Sequence, residues 1–272
     1  MNDSSSRERT APDAVLARLL RPSLAAAALL GRRTAQMHRA LAATSSAAFL
    51  PKPSTLADQR QLQASMTALT RQTFAQLRLR LPRLELPTRQ AARALLKREP
   101  ELLGRFARFA RARRHFTLIR CHGDYHLGQV LDTGHDFVIS DFEGEPTRSL
   151  AARRRRQSPL RDVAGMLRSF HYAALTALGH AAVHPERSPA ARLEPWATAW
   201  YARCSQGFLD AYFAEAGAAA FLPAGAAERA ELLALFMLEK AVYELGYEAG
   251  NRPEWLKIPL QGLTQLLDGG AR

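Results

Sequence analysis

Residues 120–145 read RCHGDYHLGQVLDTGHDFVISDFEGE, a stretch in which acidic, amide and histidine side chains surround two short apolar runs. Each run is too short for a helix, and the turn-forming sequence Thr-Gly-His-Asp at 133–136 separates them. This pattern predicts two antiparallel strands, over about 128–132 and 136–141. The polar groups on either side of the strands are then expected at the outer end of a tight hairpin, where they can build a metal and acid–base site.

The polar side chains have the spacing of a kinase-like phosphotransfer site. Such a site needs an Asp that accepts the proton of the substrate hydroxyl, a metal-binding oxygen five positions later, and a second Asp beyond the following hairpin. Asp124, Gln129 and Asp141 occupy these positions. Gln offers Mg²⁺ the same type of carbonyl oxygen as Asn, one methylene further from the backbone. The pattern therefore indicates phosphotransfer from ATP with bound Mg²⁺.

Length and composition indicate a globular protein. The chain has 272 residues, of which 47% are hydrophobic, enough for one large domain or two small ones. No apolar run reaches the 18 residues of a membrane span, so no membrane partner is expected. Residues 1–12 are expected to form a disordered polar tail and not a signal peptide. Cys121 and Cys204 form no CxxC pair, which predicts reduced thiols and a cytoplasmic location.

The chain is strongly basic, with 38 Lys and Arg against 25 Asp and Glu, a net charge of +13. This balance fits an anionic partner or nucleotide, but the strong preference for Arg over Lys fits a coding bias equally well. Aromatic residues do not interleave with the basic runs, so no nucleic-acid partner is expected. The block Arg153–Arg156 has two open interpretations: a solvated charged loop, or a surface that contacts an anion or another domain.

The chain before residue 116 has the pattern of helices and linkers only. Apolar residues keep helical spacing over 13–46, where Pro22 is expected to break or restart the helix. A second long helix is expected over about 55–80, with Ser54 as its N-cap. No G-x-G-x-x-G occurs, and no lysine lies in a convincing strand. The strand-rich nucleotide-binding lobe of a complete kinase is therefore not expected in this chain.

Three long helices are expected after the hairpin, over about 160–178, 190–216 and 225–249. Asp162 and Arg168 in the first could either reach back to the site or lie on the helix surface. The last helix carries Lys240, Tyr243, Glu244 and Tyr247 on nearby turns, with Lys240 and Glu244 as an i, i+4 pair. Polar and aromatic side chains mixed in this way suit a sugar site.

Five sequence strings closely resemble the maltokinases, including those fused behind a trehalose synthase. They are HGDYHLGQVL (122–131), DFEGEP (141–146), SPLRDVAGMLRSF (158–170), LEKAVYELGYE (238–248) and NRPEWLKIPLQG (251–262). The resemblance implies an aminoglycoside-phosphotransferase-like, protein-kinase-like fold. It also implies transfer of the γ-phosphate of ATP to the anomeric hydroxyl of maltose, giving maltose 1-phosphate for α-glucan synthesis.

By position, the resemblance implies one role for each of six residues. Asp124 is the catalytic base, Gln129 and Asp141 are the Mg²⁺ ligands, and Glu143, Lys240 and Tyr243 contact the sugar. His171 departs from the pattern, because relatives commonly have Asp there. The expected fold class is α+β and mostly α-helical, with residues 13–272 forming a kinase-like C-terminal lobe and a small hairpin at the catalytic loop.

Because the nucleotide-binding lobe is not found, the expected protein is a truncated or split maltokinase. Its expected partners are maltose, ATP, and a trehalose synthase or a separate N-terminal lobe. One alternative is a non-catalytic sugar-binding fragment that docks to a partner. Another is a related phosphotransferase acting on an aminoglycoside or on an amino alcohol such as choline, which a strongly acidic acceptor site would favour.

Overall fold

A computed structural model describes residues 10–111, 114–183 and 190–269. Most of the described chain is helical, as predicted. The helices are α1 (Thr10–Ala43), α2 (Leu56–Arg80), α3 (Leu86–Leu96), α4 (Glu99–Phe109), α5 (Leu150–Arg153), α6 (Leu160–Val183), α7 (Ala190–Ala216), α8 (Ala226–Asn251) and α9 (Lys257–Leu267). The strands are β1 (Lys52–Pro53), β2 (Thr117–Leu118), β3 (Val130–Asp132) and β4 (Phe137–Ile139). Residues 1–9 of the expected polar tail lie outside the described residues.

The predicted hairpin at the catalytic stretch is confirmed as β3 and β4. The two strands pair antiparallel, with Leu131 opposite Val138. The turn between them places Gly134 at a φ of 88°, a left-handed conformation that a residue without a Cβ adopts at little cost. The Thr133 N–H donates to the Asp136 carbonyl across the turn at 2.9 Å. Local sequence therefore sufficed to place this hairpin.

Helix α1 corrects one prediction, because it continues through Pro22 as a single element of 34 residues. A proline inside a helix removes one backbone hydrogen bond and normally kinks or ends it. Pro22 lies on an exposed part of the helix. Apolar residues that follow Pro22 in this helix are buried, among them Leu30 and Ala35. This burial offsets the lost bond.

The start of α2 corrects two further predictions. The N-cap is Thr55 and not Ser54: the Thr55 hydroxyl accepts from the Asp58 N–H, and the Asp58 carboxylate accepts from the Thr55 N–H. This reciprocal pair is a capping box. Ser54 is buried instead and accepts from Gln59. Strand β1, just before this cap, pairs with β2, so the region before residue 116 is not purely helical.

The described chain forms two compact units, each with its own core. The first contains most of α1, the β3–β4 hairpin, the second half of α6, and α7. Its core includes Phe208 and Tyr212, whose rings stack with their centres 6.4 Å apart. His38 is packed there, as expected, with its Nδ1 3.0 Å from the Tyr212 hydroxyl. A Cβ at Gly31 would overlap the Phe208 carbonyl oxygen, so α1 approaches α7 closely at this glycine.

The second unit contains α2 to α5, the β1–β2 pair, the first turns of α6, α8 and α9. Within it, α2 packs against α8 and α4, and α8 packs against α9. A buried ion pair crosses this core, where Arg168 Nη2 lies 2.6 Å from Glu244 Oε2. The guanidinium also presses against Gly262, where any Cβ would overlap it. Arg168 is thus a core residue and does not lie on the helix surface.

Two observations bear on location and redox state. Across the described ranges, no helix is long and apolar enough to cross a membrane. Both cysteines are free thiols and buried. Burial raises the pKa of the Cys204 thiol to about 11 and raises the pKa of Cys121 well above its usual range. Neither thiol is therefore poised to react as a thiolate near neutral pH.

Candidate active site

The loop that carries Asp124 is fixed to the start of α6. The buried Asp162 carboxylate accepts from the backbone N–H groups of His122, at 2.8 Å, and Gly123, at 3.0 Å. The loop also lies directly on the helix, because a Cβ at Gly165 would come within 2.5 Å of the Tyr125 carbonyl oxygen. Of the two open interpretations of Asp162, the structure therefore supports the one in which it reaches back to the site.

The Asp124 carboxylate has two cationic or titratable neighbours. Lys240 Nζ lies 3.8 Å from its Oδ1, and His126 Nε2 lies 3.9 Å from its Oδ2. Burial lowers the pKa of His126, the charges of Lys240 and His122 lower it further, and Asp124 opposes the shift. His126 is therefore mainly neutral at neutral pH, and Lys240 is the cation that faces Asp124.

Asp124 lines an open pocket of about 450 Å³, formed within the second unit. This space includes open solvent at the mouth, so the pocket is an open cleft. Its walls are Gly123, Asp124, Tyr125, Glu145, Arg148, Arg161, Asp162, Gly165, Phe236, Glu239, Lys240 and Tyr243. One wall is thus the catalytic loop, and α8 supplies another.

Two arginines share one buried carboxylate on the α8 side of this pocket. Arg161 pairs with both oxygens of Glu239, and Arg148 Nη2 lies 4.0 Å from the same carboxylate. The Arg161 guanidinium also lies 5.4 Å from the centre of the Phe236 ring. The pKa of Arg148 is lowered by burial and by the like charge of Arg161. This wall therefore carries excess positive charge.

Tyr243 presents both a ring and a hydroxyl next to Asp124. Lys240 Nζ lies 4.9 Å from the ring centre, and the Tyr247 ring stacks at 6.4 Å. The Tyr243 hydroxyl lies 3.4 Å from the Thr147 hydroxyl. Burial raises the pKa of Tyr243, and the nearby Glu145 raises it further. The phenol therefore stays protonated and can donate a hydrogen bond to a ligand hydroxyl.

Lys240 and Glu244 each pair with a residue outside α8 instead of forming the expected i, i+4 pair. Lys240 pairs with Asp124, and Glu244 pairs with Arg168 in the core. The two side chains leave the helix toward different neighbours, since one faces the pocket and the other faces α6. Tertiary charge partners thus replace the local pair, which in this order contributes little to a helix.

The two predicted metal ligands belong to different units, Gln129 to the first and Asp141 to the second. Gln129 ends a 3₁₀ turn, Leu127–Gln129, that leads into β3. Asp141 is exposed and has a φ of 63°, a left-handed conformation unusual for a residue with a side chain. Such strain clusters at ligand and catalytic sites. In the described ranges, no group of three or more His, Cys, Asp or Glu could hold a metal ion.

Two further residues from the sequence analysis lie away from the pocket walls. Glu143, a predicted sugar contact, has a side chain that is 82% exposed and a carboxylate 4.0 Å from Arg153. It stays a prediction. His171 is buried, with its ring 5.1 Å from that of Tyr201. At this position the chain therefore has a packed histidine inside the first unit.

Sequence reasoning placed Glu145 among the polar groups of the site without a role, and it missed three other charged residues of the pocket wall: Arg148, Arg161 and Glu239. One signal was available for Glu239, which stands beside Lys240 inside the apolar run LFMLEKAV. A charged residue in such a run is either paired or functional. The arginines gave no comparable signal among so many others in the chain.

Comparison with known proteins finds glucosamine kinases. No protein-family model matches the chain. The glucosamine kinase of Streptacidiphilus jiangxiensis is 33% identical over 150 residues, which is 55% of this chain and 32% of that kinase. The glucosamine kinase of Mycolicibacterium smegmatis (strain ATCC 700084 / mc(2)155) is 33% identical over 149 residues, 55% of this chain and 34% of that kinase.

Solved structures extend the likeness to nearly the whole chain. A glucosamine kinase in its crystal form A superposes with a TM-score of 0.73 at 26% identity, covering 94% of this chain and 58% of that one. A glucosamine kinase in complex with glucosamine, ADP and inorganic phosphate gives 0.70 at 27% identity, covering 91% and 53%.

The chain therefore spans about a third of the length of the curated relatives that it matches and just over half of those solved structures. It is a distant homologue of glucosamine kinase. Its fold matches that of an aminoglycoside-phosphotransferase-like kinase over about half of the kinase chain, consistent with the predicted C-terminal lobe. The predicted fold class is confirmed.

Proposed function

We propose that this chain is the acceptor-binding and catalytic-loop part of an ATP-dependent sugar kinase. The observation that carries the proposal is the placement of Asp124, at the wall of an open pocket lined by charged and aromatic side chains and 3.8 Å from Lys240. The spacing of Asp124, Gln129 and Asp141 supports phosphotransfer, and the homology to glucosamine kinases supports a sugar acceptor.

Asp124 acts as the base in this proposal. The acceptor hydroxyl donates a hydrogen bond to the Asp124 carboxylate, which takes the proton as the hydroxyl oxygen bonds to the γ-phosphorus and the bond to ADP breaks. His126, mainly neutral, leaves the Asp124 charge available for this proton. Asp162 holds the loop in place, so that the base is oriented before the acceptor arrives.

Gln129 and Asp141 are the proposed Mg²⁺ ligands. Bound Mg²⁺ would offset the negative charge of the transferring phosphoryl group. Mg²⁺ commonly takes only one or two protein carboxylates, with phosphate and water oxygens completing its shell. The Asp141 carboxylate and the Gln129 amide oxygen are each ligand types that this ion takes. The strained backbone of Asp141 fits a residue held for a ligand.

We propose maltose as the acceptor, with maltose 1-phosphate as the product. The five maltokinase-like strings support maltose. The charges of the pocket do not select between maltose and glucosamine, since its four carboxylates face three cations. Glucosamine is the second candidate because the relatives are glucosamine kinases.

The proposed ligands include ATP, and the maltokinase-like strings also suggest a partner. We propose that a trehalose synthase or a nucleotide-binding lobe, as in the maltokinases that the strings resemble, contributes to ATP binding in the working enzyme. Glu143, Lys240 and Tyr243 are the proposed sugar contacts, and of these Lys240 and Tyr243 line the pocket.

The test is a phosphotransfer assay with ATP, Mg²⁺ and either maltose or glucosamine, with the sugar phosphate detected by mass spectrometry. We expect Asp124→Asn to lower turnover by about 10²- to 10⁴-fold, the usual contribution of a catalytic base. Asp210→Asn, at an exposed site on α7 where the carboxylate accepts from Gln206, is the matched control. Unchanged turnover in Asp124→Asn, measured with the nucleotide-binding lobe present, would contradict the proposal.

A further inference from the structure

Five arginines of the second unit form a cluster that the proposed phosphotransfer does not use. This arginine patch consists of Arg120, just after β2, and Arg153, Arg154, Arg155 and Arg156 at the end of α5. Arg120 Nη1 donates to the Arg153 carbonyl at 2.9 Å, which joins the two segments. The pKa of Arg120 is lowered, mainly by burial and further by the charges of Arg154 and Arg156.

Three of the five side chains are held in place by backbone groups. Arg156 Nη2 donates to the Ala47 carbonyl at 2.7 Å, and Arg153 Nη1 donates to the Glu143 carbonyl at 3.3 Å. The third is Arg120, which donates to the Arg153 carbonyl as given above, and its guanidinium also lies 5.6 Å from the centre of the Phe49 ring. A cluster fixed in this way loses little conformational entropy when it binds a ligand.

The patch has almost no acidic partner. Among the described residues, the only carboxylate within 4.0 Å of a patch guanidinium belongs to Glu143, which is 82% exposed. Some arginines elsewhere are paired closely: Arg98, for example, lies 2.8 Å from Glu101 and 2.6 Å from Asp268. In addition, the buried Nε atoms of Arg153 and Arg156 have no hydrogen-bond partner among the described residues. Repulsion within the patch is therefore only partly compensated, by Glu143.

We propose that the arginine patch binds a phosphate-bearing anion. Guanidinium groups match phosphate oxygens with paired N–H donors, and several together can neutralise the multiple charge of an oligophosphate. A nucleic-acid strand is less well matched, because such sites present aromatic rings to the bases, whereas Phe49 has its face toward Arg120. The anion comes either as free phosphate or pyrophosphate, or as the phosphates of a nucleotide.

Arg153 connects the arginine patch to Glu143 and Gly144, which follow Asp141 in the chain. Its guanidinium bonds the Glu143 carbonyl, and a Cβ at Gly144 would meet its side chain at 3.5 Å. An anion bound to Arg153 thus acts on the residues that follow Asp141. Binding at the patch does not depend on the proposed kinase activity, so the two can be tested separately.

The experiment is calorimetric titration of the whole chain with orthophosphate, pyrophosphate and Mg²⁺-free ATP at low and moderate salt. The first double variant, Arg154→Gln with Arg155→Gln, removes the two exposed side chains of the patch, and we expect it to leave the fold intact. The second double variant, Arg120→Gln with Arg156→Gln, removes two side chains that donate to backbone carbonyls. The matched control, Arg60→Gln with Arg71→Gln, removes the same charge from exposed positions of α2.

We expect each patch variant to weaken pyrophosphate binding about tenfold or more, while the control keeps wild-type affinity. Pyrophosphate and ATP binding equally would identify the phosphates as the ligand, and ATP binding alone would identify a nucleotide. Equal losses in the patch variants and the control would overturn the site, as would no binding by wild type. A short oligonucleotide that binds through the patch when pyrophosphate does not would also overturn it.

Discussion

At the scale of single residues, the candidate site depends on what surrounds Asp124. The H-G-D spacing was enough to select Asp124 from the sequence, because the catalytic loop is local. Its partner Lys240 was predicted as a sugar contact, and the 3.8 Å approach to Asp124 could not be predicted from spacing. That approach depends on how α8 packs against the loop. Arg148 and Glu239 were missed for the same reason.

His126 gives a prediction about pH at this scale. Burial and the charges of Lys240 and His122 lower its pKa below the usual 6.5, against the opposing pull of Asp124 and Glu145. The unfolded chain therefore binds more protons at this position, and its contribution to stability rises with pH across the window below 6.5. We expect His126→Gln to reduce the rise in unfolding free energy between about pH 5 and pH 7.5.

Urea unfolding at both pH values measures this effect. If the His126→Gln and wild-type chains gain the same stability over this interval, the proposed shift at His126 is wrong.

At the scale of elements, helix termini and helix pairs decide where the site lies. The α2 helix was predicted, but its cap was assigned one residue early. Ser54 and Thr55 are both good caps by type, and the choice depends on Asp58 completing the capping box with Thr55. Pro22 was expected to interrupt α1 because sequence alone does not show how much the following turns bury.

The capping box gives a stability prediction. Thr55→Ala removes the oxygen that accepts from the Asp58 N–H, and such a loss costs about 1 kcal/mol. Thr55→Ser keeps that oxygen and should retain nearly all of the stability. Denaturant unfolding of the two variants measures the difference. Equal losses in both variants would show that the methyl group, and not the cap, is what matters.

A second prediction at this scale concerns the buried ion pair between α6 and α8. Glu244→Gln removes the carboxylate charge that pairs with the buried Arg168, and removing one partner of a buried ion pair costs about 3 to 5 kcal/mol. Glu254→Gln, at an exposed position after α8, is the matched control and should be nearly neutral. Chemical denaturation of both variants measures the cost. A Glu244→Gln variant as stable as the control would mean that the pair does not stabilise this core.

At the scale of the whole molecule, the helical class and the catalytic hairpin could be predicted, since helical spacing and turn residues are local signals. The division into two compact units was not predicted, because a boundary inside α1 and α6 leaves no break in composition. The pocket and the arginine patch both belong to the second unit. There, long-range packing gathers residues such as Arg120 and Arg156, far apart in sequence, around single surfaces.

The most direct test of the central claim is calorimetric titration of the chain with maltose and with glucosamine. We expect at least one sugar to bind, and Tyr243→Ala, which removes a pocket ring, to weaken that binding about tenfold. Trp196→Ala, at an exposed aromatic position on α7, should bind as wild type does. Absence of binding by both sugars, or binding that Tyr243→Ala leaves unchanged, would contradict the assignment of this pocket as the acceptor site.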